Sequence, residues 1–227
     1  MRYKLFPLIM ASFVTVLLLS NTVAVKITQL GPFYFDGATV LFPISYIFGD
    51  ILTEVYGYRR SRLVIWTGFG ACAFMAFTYW LIGALPPAPD WAGQPAYLQI
   101  LGQTPRIVAA SLIAYFCGEF ANSYVLAKMK ILTRGRWLPL RTIGSTAVGQ
   151  FVDSLLFVII AFTGIIPEIG LARMILSNYV FKTAYEALAT PGTVVAVKWI
   201  KKVENEDYYD WNTNFNPFAL SAEDLTT

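Results

Sequence analysis

The segment GATVLFPISYIFGDILTEVYGYRRSR, residues 37–62, decides how this chain is to be read. From Gly37 to Gly57 it is almost wholly apolar and reaches the roughly 20 residues that a helix needs to cross a bilayer. Asp50 and Glu54 nevertheless sit inside it, one helical turn apart, and Arg59, Arg60 and Arg62 follow at once. The segment thus reads as a membrane span that carries acids in its interior and ends at a basic face.

Further stretches of the same kind recur on both sides. Leu5 to Val25 and Leu63 to Leu85 carry no charge, Ile107 to Ala127 holds Glu119, and Thr142 to Thr163 holds Asp153. Met174 to Val197 holds Lys182, Glu186 and Pro191. The expected fold is therefore an all-α integral membrane protein with six transmembrane helices, residues 1–203, followed by an acidic cytosolic tail, residues 204–227. Composition agrees: 56% of the 227 residues are apolar and 14% charged, against roughly 25% charged in soluble domains. The chain has no His, which removes Ser–His–Asp triads, His-based metalloproteases and most catalytic zinc sites. Cys72 and Cys117 lie in apolar runs and read as small core residues, so no metal site and no cofactor are expected.

Positive charge orients the spans. Thirteen of the 17 Lys and Arg flank alternate span ends: Arg2 and Lys4, Arg59 to Arg62, Lys128 to Arg141, and Lys198 to Lys202. By the positive-inside rule both termini are cytoplasmic. Arg2 and Lys4 before an apolar run also suit a signal peptide with Thr22-Val23-Ala24 as its cleavage site, but the run is longer than a signal's apolar core. Tyr79, Trp80 and Trp199 fall where interfacial aromatic belts are expected. On the outer side, the Gly31-Pro32 region suggests a short turn or hairpin, and the Pro/Gly-rich Pro86 to Pro105 a lid or irregular chain. Three plus three spans also give halves of opposite orientation, with Asp50 and Asp153 in corresponding helices, as in inverted-repeat transporters.

The chemistry lies in the misplaced charges. Each ionised group at mid-bilayer costs about 2.5–3.5 kcal/mol on insertion scales, so such groups must face one another, a cavity or a ligand. Tyr46, Asp50 and Glu54 share one helix face; Asn178, Lys182 and Glu186 share another, where Lys182 and Glu186 can pair. Tyr115, Asn122 and Ser123 flank Glu119, and Gln150 precedes Asp153 by three residues. Glu54 can pair with Arg59 or Arg60 at the inner rim. Polar glue between membrane helices is mostly Ser, Thr, Asn and Gln, whereas this set is rich in carboxylates. A cavity lined by them favours cations, protons or a planar donor-rich group.

Phe42 to Gly57, FPISYIFGDILTEVYG, resembles the signature of the queuosine precursor transporters, formerly called a vitamin-uptake family. Ser20-Asn21 with Lys26, Gly118-Glu119, Val152-Asp153-Ser154, Tyr179-Val180-Phe181-Lys182, Glu186 and Thr190-Pro191 agree in order. The resemblance covers about the first 200 residues and leaves the tail outside. It implies a six-helix inner-membrane importer of 7-cyano-7-deazaguanine, 7-aminomethyl-7-deazaguanine or queuine, which feed queuosine synthesis in transfer RNA. It also implies that the polar residues above line the substrate path. In such a site a carboxylate accepts from N1–H and the exocyclic amine together. Asp153 is the first candidate and Glu119 the second, with Asn122, Gln150, Lys182, Glu186 and Asn178 beside them and Tyr115 or Tyr46 stacking. Asp50, Glu54, Asn21 and Lys26 are assigned to coupling or gating.

Two rival readings remain. One is a substrate-binding membrane subunit for another purine-like or vitamin substrate that needs an energising partner. The chain has no phosphate loop of its own, and the sequence leaves both an ATPase module and a homo-oligomer open. The other is an intramembrane aspartyl protease built on Asp50 and Asp153, but Ile47-Phe48-Gly49-Asp50 lacks the expected Gly-x-Gly-Asp. The expected partners are thus a small-molecule substrate and the lipid bilayer, with no nucleic acid.

Overall fold

The structure is a computed structural model that describes residues 3–23, 26–30, 33–102, 105–164 and 167–219. Ala24, the Gly31-Pro32 turn and the tail beyond residue 219 lie outside the described residues. Each expected span is helical: α1 (Phe6–Val23), α2 (Ala38–Tyr56), α3 (Tyr58–Ala84), α5 (Pro105–Leu132), α6 (Leu138–Phe162) and α7 (Glu168–Glu204). Of these, α1, α3 and α6 are by length and composition apolar enough to cross a membrane. The others carry the acids and lysines that lower their hydropathy. Trp80 and Trp199 are exposed on the bundle surface.

The connections differ from plain loops. Strands β1 (Ile27–Leu30) and β2 (Phe33–Asp36) pair antiparallel, with Ile27 opposite Asp36 and Leu30 opposite Phe33. Within Pro86 to Pro105 a short helix, α4 (Gln94–Leu101), packs on the end of α3. There Gln94 Nε2 donates to the Gly83 carbonyl at 2.8 Å and Tyr97 Oη to that of Tyr79 at 3.3 Å. Its eight residues had no period clear enough to separate it from loop.

Two features set the geometry of the bundle. The α2–α3 joint is Gly57 alone, with φ 87°, a left-handed value that favours glycine. Helix α7 runs for 37 residues, about 55 Å at 1.5 Å per residue, so it outruns the roughly 30 Å hydrocarbon core. Pro191 interrupts its hydrogen-bond ladder, and the Thr190 and Thr193 hydroxyls bond the Glu186 and Ala189 carbonyls beside the break. Past Asn205, at φ 51°, the chain turns back and lies across the helix ends.

Candidate functional site

Four helices bring their acids to one buried place. Asp50 from α2, Glu119 from α5, Asp153 from α6 and Glu186 from α7 are all at most 3% exposed. The bundle can hold them together because small residues line the crossings. A Cβ on Gly49 would lie 1.8 Å from Glu119 Oε1, and one on Gly118 would lie 2.8 Å from Asp153 Cβ. A Cβ on Gly149 would lie 2.8 Å from Asn122 Cβ and 2.9 Å from the Gly118 carbonyl oxygen, so α5 and α6 meet backbone to backbone. Such close approach is what small residues permit between membrane helices.

Hydrogen bonding within this cage is incomplete. Asn122 Nδ2 donates to Asp50 Oδ1 at 2.9 Å, and Lys182 Nζ donates to Asp153 Oδ2 at 2.6 Å. Among the described residues, both carboxylate oxygens of Glu119 and Glu186 have no hydrogen-bond partner, nor has either amide atom of Gln150. Asp50 Oδ2, Asn122 Oδ1, Tyr115 Oη, Thr146 Oγ1 and Ser154 Oγ are in the same condition. Buried polar groups are normally paired, and an unpaired one costs about 1–3 kcal/mol or more if charged. So many orphaned groups on and around the four acids mark a polar chamber, in the sense of buried polar surface that the protein's own atoms do not satisfy among the described residues.

The structure places the remaining sequence candidates around this chamber or away from it. Tyr46 is fully buried, against the α5–α6 crossing: a Cβ on Gly118 would lie 2.6 Å from its Oη. Tyr115 packs on Phe13, with ring centroids 6.4 Å apart, and its hydroxyl faces Gly68. Asn178 is half-buried, one turn beyond Lys182. Asn21 lies apart from the acids and lines a cavity of about 670 Å³ between α1, α3, α4 and α5, together with Cys72, Tyr79 and Trp80. Its Oδ1 accepts from Ser111 at 3.2 Å. Lys26 is exposed at the foot of the β-hairpin.

Two expected pairings are corrected. Lys182 pairs with Asp153 across the α6–α7 contact and not with Glu186 on its own helix. Glu54 does not pair with Arg59 or Arg60 either. Arg141 grips it with both terminal nitrogens, and Lys201 Nζ donates to it at 2.6 Å. Lys130 Nζ lies 3.6 Å from its Oε1 and donates to its backbone carbonyl at 2.6 Å. Asp207 from the tail completes the group, 2.6 Å from Lys130 and 2.8 Å from Lys201. In the sequence Arg141 reads only as part of a basic flank. Its extreme burial, 0% exposed, is a tertiary property with no signature in the local sequence.

Electrostatics at this basic end are those of a satisfied cluster. Burial lowers the Lys130 pKa below its ordinary value, with Glu54 pulling against that shift. Burial also works to lower Lys201, but Glu54 and Asp207 outweigh it and hold the ammonium above its ordinary value. For Asp207, partial burial is outweighed by hydrogen bonds from the two lysines, which hold its carboxyl below the usual range.

Residues 36–196 match the family described as "Putative vitamin uptake transporter", a span that includes all four cage acids. The chain is 30% identical over 186 residues to the "Probable queuosine precursor transporter" of Bacillus subtilis (strain 168), covering 82% of this chain and 81% of that one. No solved structure matches it. Both matches are to transporters and not to an enzyme, and with three helices apolar enough to span a bilayer they place the protein in a membrane. By the extent of both matches, this chain belongs to the vitamin uptake transporter family.

Proposed function

We propose that the protein imports queuosine precursors, the 7-deazaguanine bases 7-cyano-7-deazaguanine, 7-aminomethyl-7-deazaguanine or queuine, through the carboxylate cage. The observation that carries the reading is the orphaned Glu119 carboxylate, fully buried on α5, with an equally orphaned Gln150 amide buried on the adjoining α6. A guanine-like edge presents N1–H and an exocyclic amine side by side, which one carboxylate accepts together. The neighbouring carbonyl of the base is an acceptor that suits an amide N–H of Gln150. Lys182 already occupies one oxygen of Asp153, so Glu119 moves ahead of Asp153 as the reader of the donor pair. The name of the Bacillus subtilis relative supports the substrate class.

Six crossings, α1, α2, α3, α5, α6 and α7, with both termini cytoplasmic, complete the proposal. Tyr3 Oη donates to Glu206 Oε2 at 2.8 Å, so the two ends of the bundle share one face. That contact supports an even number of crossings, and the clustering of Lys and Arg at the same face supports a cytoplasmic location for it.

Uptake of labelled 7-cyano-7-deazaguanine into liposomes containing the purified protein tests the proposal. Unlabelled 7-deazaguanines should compete, and adenine, with its donors arranged differently, should not. Equal competition by adenine, or no uptake of any 7-deazaguanine, would overturn it.

A further inference from the structure

We infer that residues 204–219 form a latch that holds the arginine-rich end of the bundle closed, and that its release opens the path from the cage to that face. The inference rests on the transporter reading but on a part of the chain that the family match, ending at residue 196, does not include.

The segment is fitted to the helix ends residue by residue. Glu204 accepts from the backbone N–H of Lys4 at 2.9 Å and from that of Leu5, and so caps α1, whose own first turn contains no acid. Tyr56 Oη also donates to it at 3.0 Å. Asp210 does the same for α3, where the Gly57 cap position has no side chain to offer. Both Asp210 carboxylate oxygens accept from Tyr58 N at 3.1 Å. Between these two acids, Tyr208 N donates to the Val55 carbonyl at 3.1 Å and Asp207 joins the Glu54 cluster. Farther along, Arg62 Nη1 donates to the carbonyls of Asn214 and Asn216 at 2.8 and 2.9 Å, and Trp66 Nε1 to that of Pro217 at 2.8 Å.

The receiving surface is shaped for the segment. Gly57 and Gly135, both at positive φ, lie at the α2–α3 joint and just after α5. A Cβ on Gly57 would meet Tyr208 Cδ1 at 2.2 Å, and one on Gly135 would meet Tyr209 Oη at 2.1 Å. Phe215 seats against Tyr58 and Tyr124, with ring centroids 5.0 and 5.2 Å away. An acidic tail that merely floated beside a basic face would need neither the notches nor the caps.

Position makes the segment a latch and not only a clamp. Glu54 lies one turn from Asp50, so the ion cluster is the next layer below the cage on the basic side. Asp207 is the cluster's most exposed member, at 46% side-chain exposure, while Glu54 is fully buried. At the other end, the roughly 670 Å³ cavity lined by Asn21 and Tyr79 stands beneath α4. The cavity lies at one end and the sealed cluster at the other, and from Glu206 to Ala219 the chain that completes the seal lies outside every helix.

Thiol labelling of the full-length protein in lipid nanodiscs tests this without any substrate. Thr146, fully buried on α6 between Arg141 and Gln150, is replaced by Cys in a background where Cys72 and Cys117 are Ala. A second reporter keeps Cys72 alone, in the wall of the opposite cavity. Asp207→Asn with Asp210→Asn should speed labelling of T146C by an impermeant maleimide at least about 5-fold and leave Cys72 labelling unchanged. Arg62→Gln, which cuts the two distal carbonyl contacts and the guanidinium's approach to the Tyr58 ring, should give a smaller increase in the same direction and serves if the double variant does not fold. Unchanged labelling in the variants, or equal acceleration at both reporters, would overturn the latch. A failed substrate assignment would leave this result untouched.

Discussion

The cage and the basic end hold nearly the same kinds of residue, yet they are finished in opposite ways. At the basic end, Glu54 is met by Arg141, Lys201 and Lys130, and the tail supplies Asp207 to balance the excess cation. In the cage, one lysine serves one of four acids, and Glu119 and Glu186 have no hydrogen-bond partner among the described residues. Burial alone therefore does not distinguish structural from functional charge in a membrane bundle. Satisfaction does. A buried ion with every bond made holds helices together, whereas one with bonds left over is available to something that arrives.

This contrast can be broken by substitution, most forcefully at the basic end. Arg141→Met removes both guanidinium bonds to the buried Glu54, leaving it Lys201 and Lys130, and should destabilise the protein by about 3–5 kcal/mol, as for two charge-assisted bonds lost in a buried cluster. Thermal unfolding in detergent should show the loss, and Arg141→Met with Glu54→Met should recover part of it. Lys182→Met should cost less, about 2–3 kcal/mol, since Lys182 is 17% exposed and Asp153 keeps access to the polar chamber. Adding Asp153→Asn should return most of that stability, which would distinguish the pair from the Lys182–Glu186 pairing expected from spacing.

The sharpest separation comes from Glu119→Gln. It removes no protein hydrogen bond among the described residues, so the melting temperature should hold or rise. Uptake of a 7-deazaguanine should nevertheless fall at least ~10-fold, the equivalent of ~1.4 kcal/mol. A variant that lost stability and transport together would erase the distinction between the two regions.

The smallest effect belongs to Glu204. Burial opposes its ionisation, but the backbone N–H groups at the start of α1 and the Tyr56 hydroxyl outweigh this and hold its pKa below the ordinary value. A depressed carboxyl stabilises the fold above its unfolded pKa, and that contribution fades as pH falls through the folded one. Glu204→Gln should therefore lower the melting temperature by about 2–4 °C at pH 7, as for a cap worth about 1 kcal/mol. As pH falls below the ordinary carboxyl range the difference from wild type should shrink, as melting curves taken into acid would show.

The helices and the cage acids were legible because an acid in an apolar run stands out without reference to its neighbours. Partners were not, since pairing depends on which helices touch. Lys182 precedes Glu186, the weaker order for a pair within a helix, and α6 offers it Asp153 at 2.6 Å instead. Arg59 and Arg60 lie beyond the Gly57 turn, where Arg60 Nη1 donates to the Tyr56 carbonyl at 3.0 Å and its guanidinium lies over the Tyr3 ring. The glycines at 49, 118 and 149 carried no signal, because a lone glycine in a membrane helix has many uses. The docking of the tail was not legible either, because its sequence shows acids and aromatics but not the helix ends that receive Tyr208, Tyr209 and Phe215.

The two acid caps also set the order in which the molecule is completed during synthesis. Helices α1 and α3 leave the ribosome well before Glu204 and Asp210, which satisfy their leading N–H groups and are made only with the end of α7 and after it. Both helices therefore enter the bilayer with unsatisfied ends that only water or lipid headgroups can meet. Closure of this segment onto the starts of α1 and α3 must then wait for the synthesis of α7. A ribosome stalled after α7 would leave an inserted bundle whose basic end had not yet been sealed.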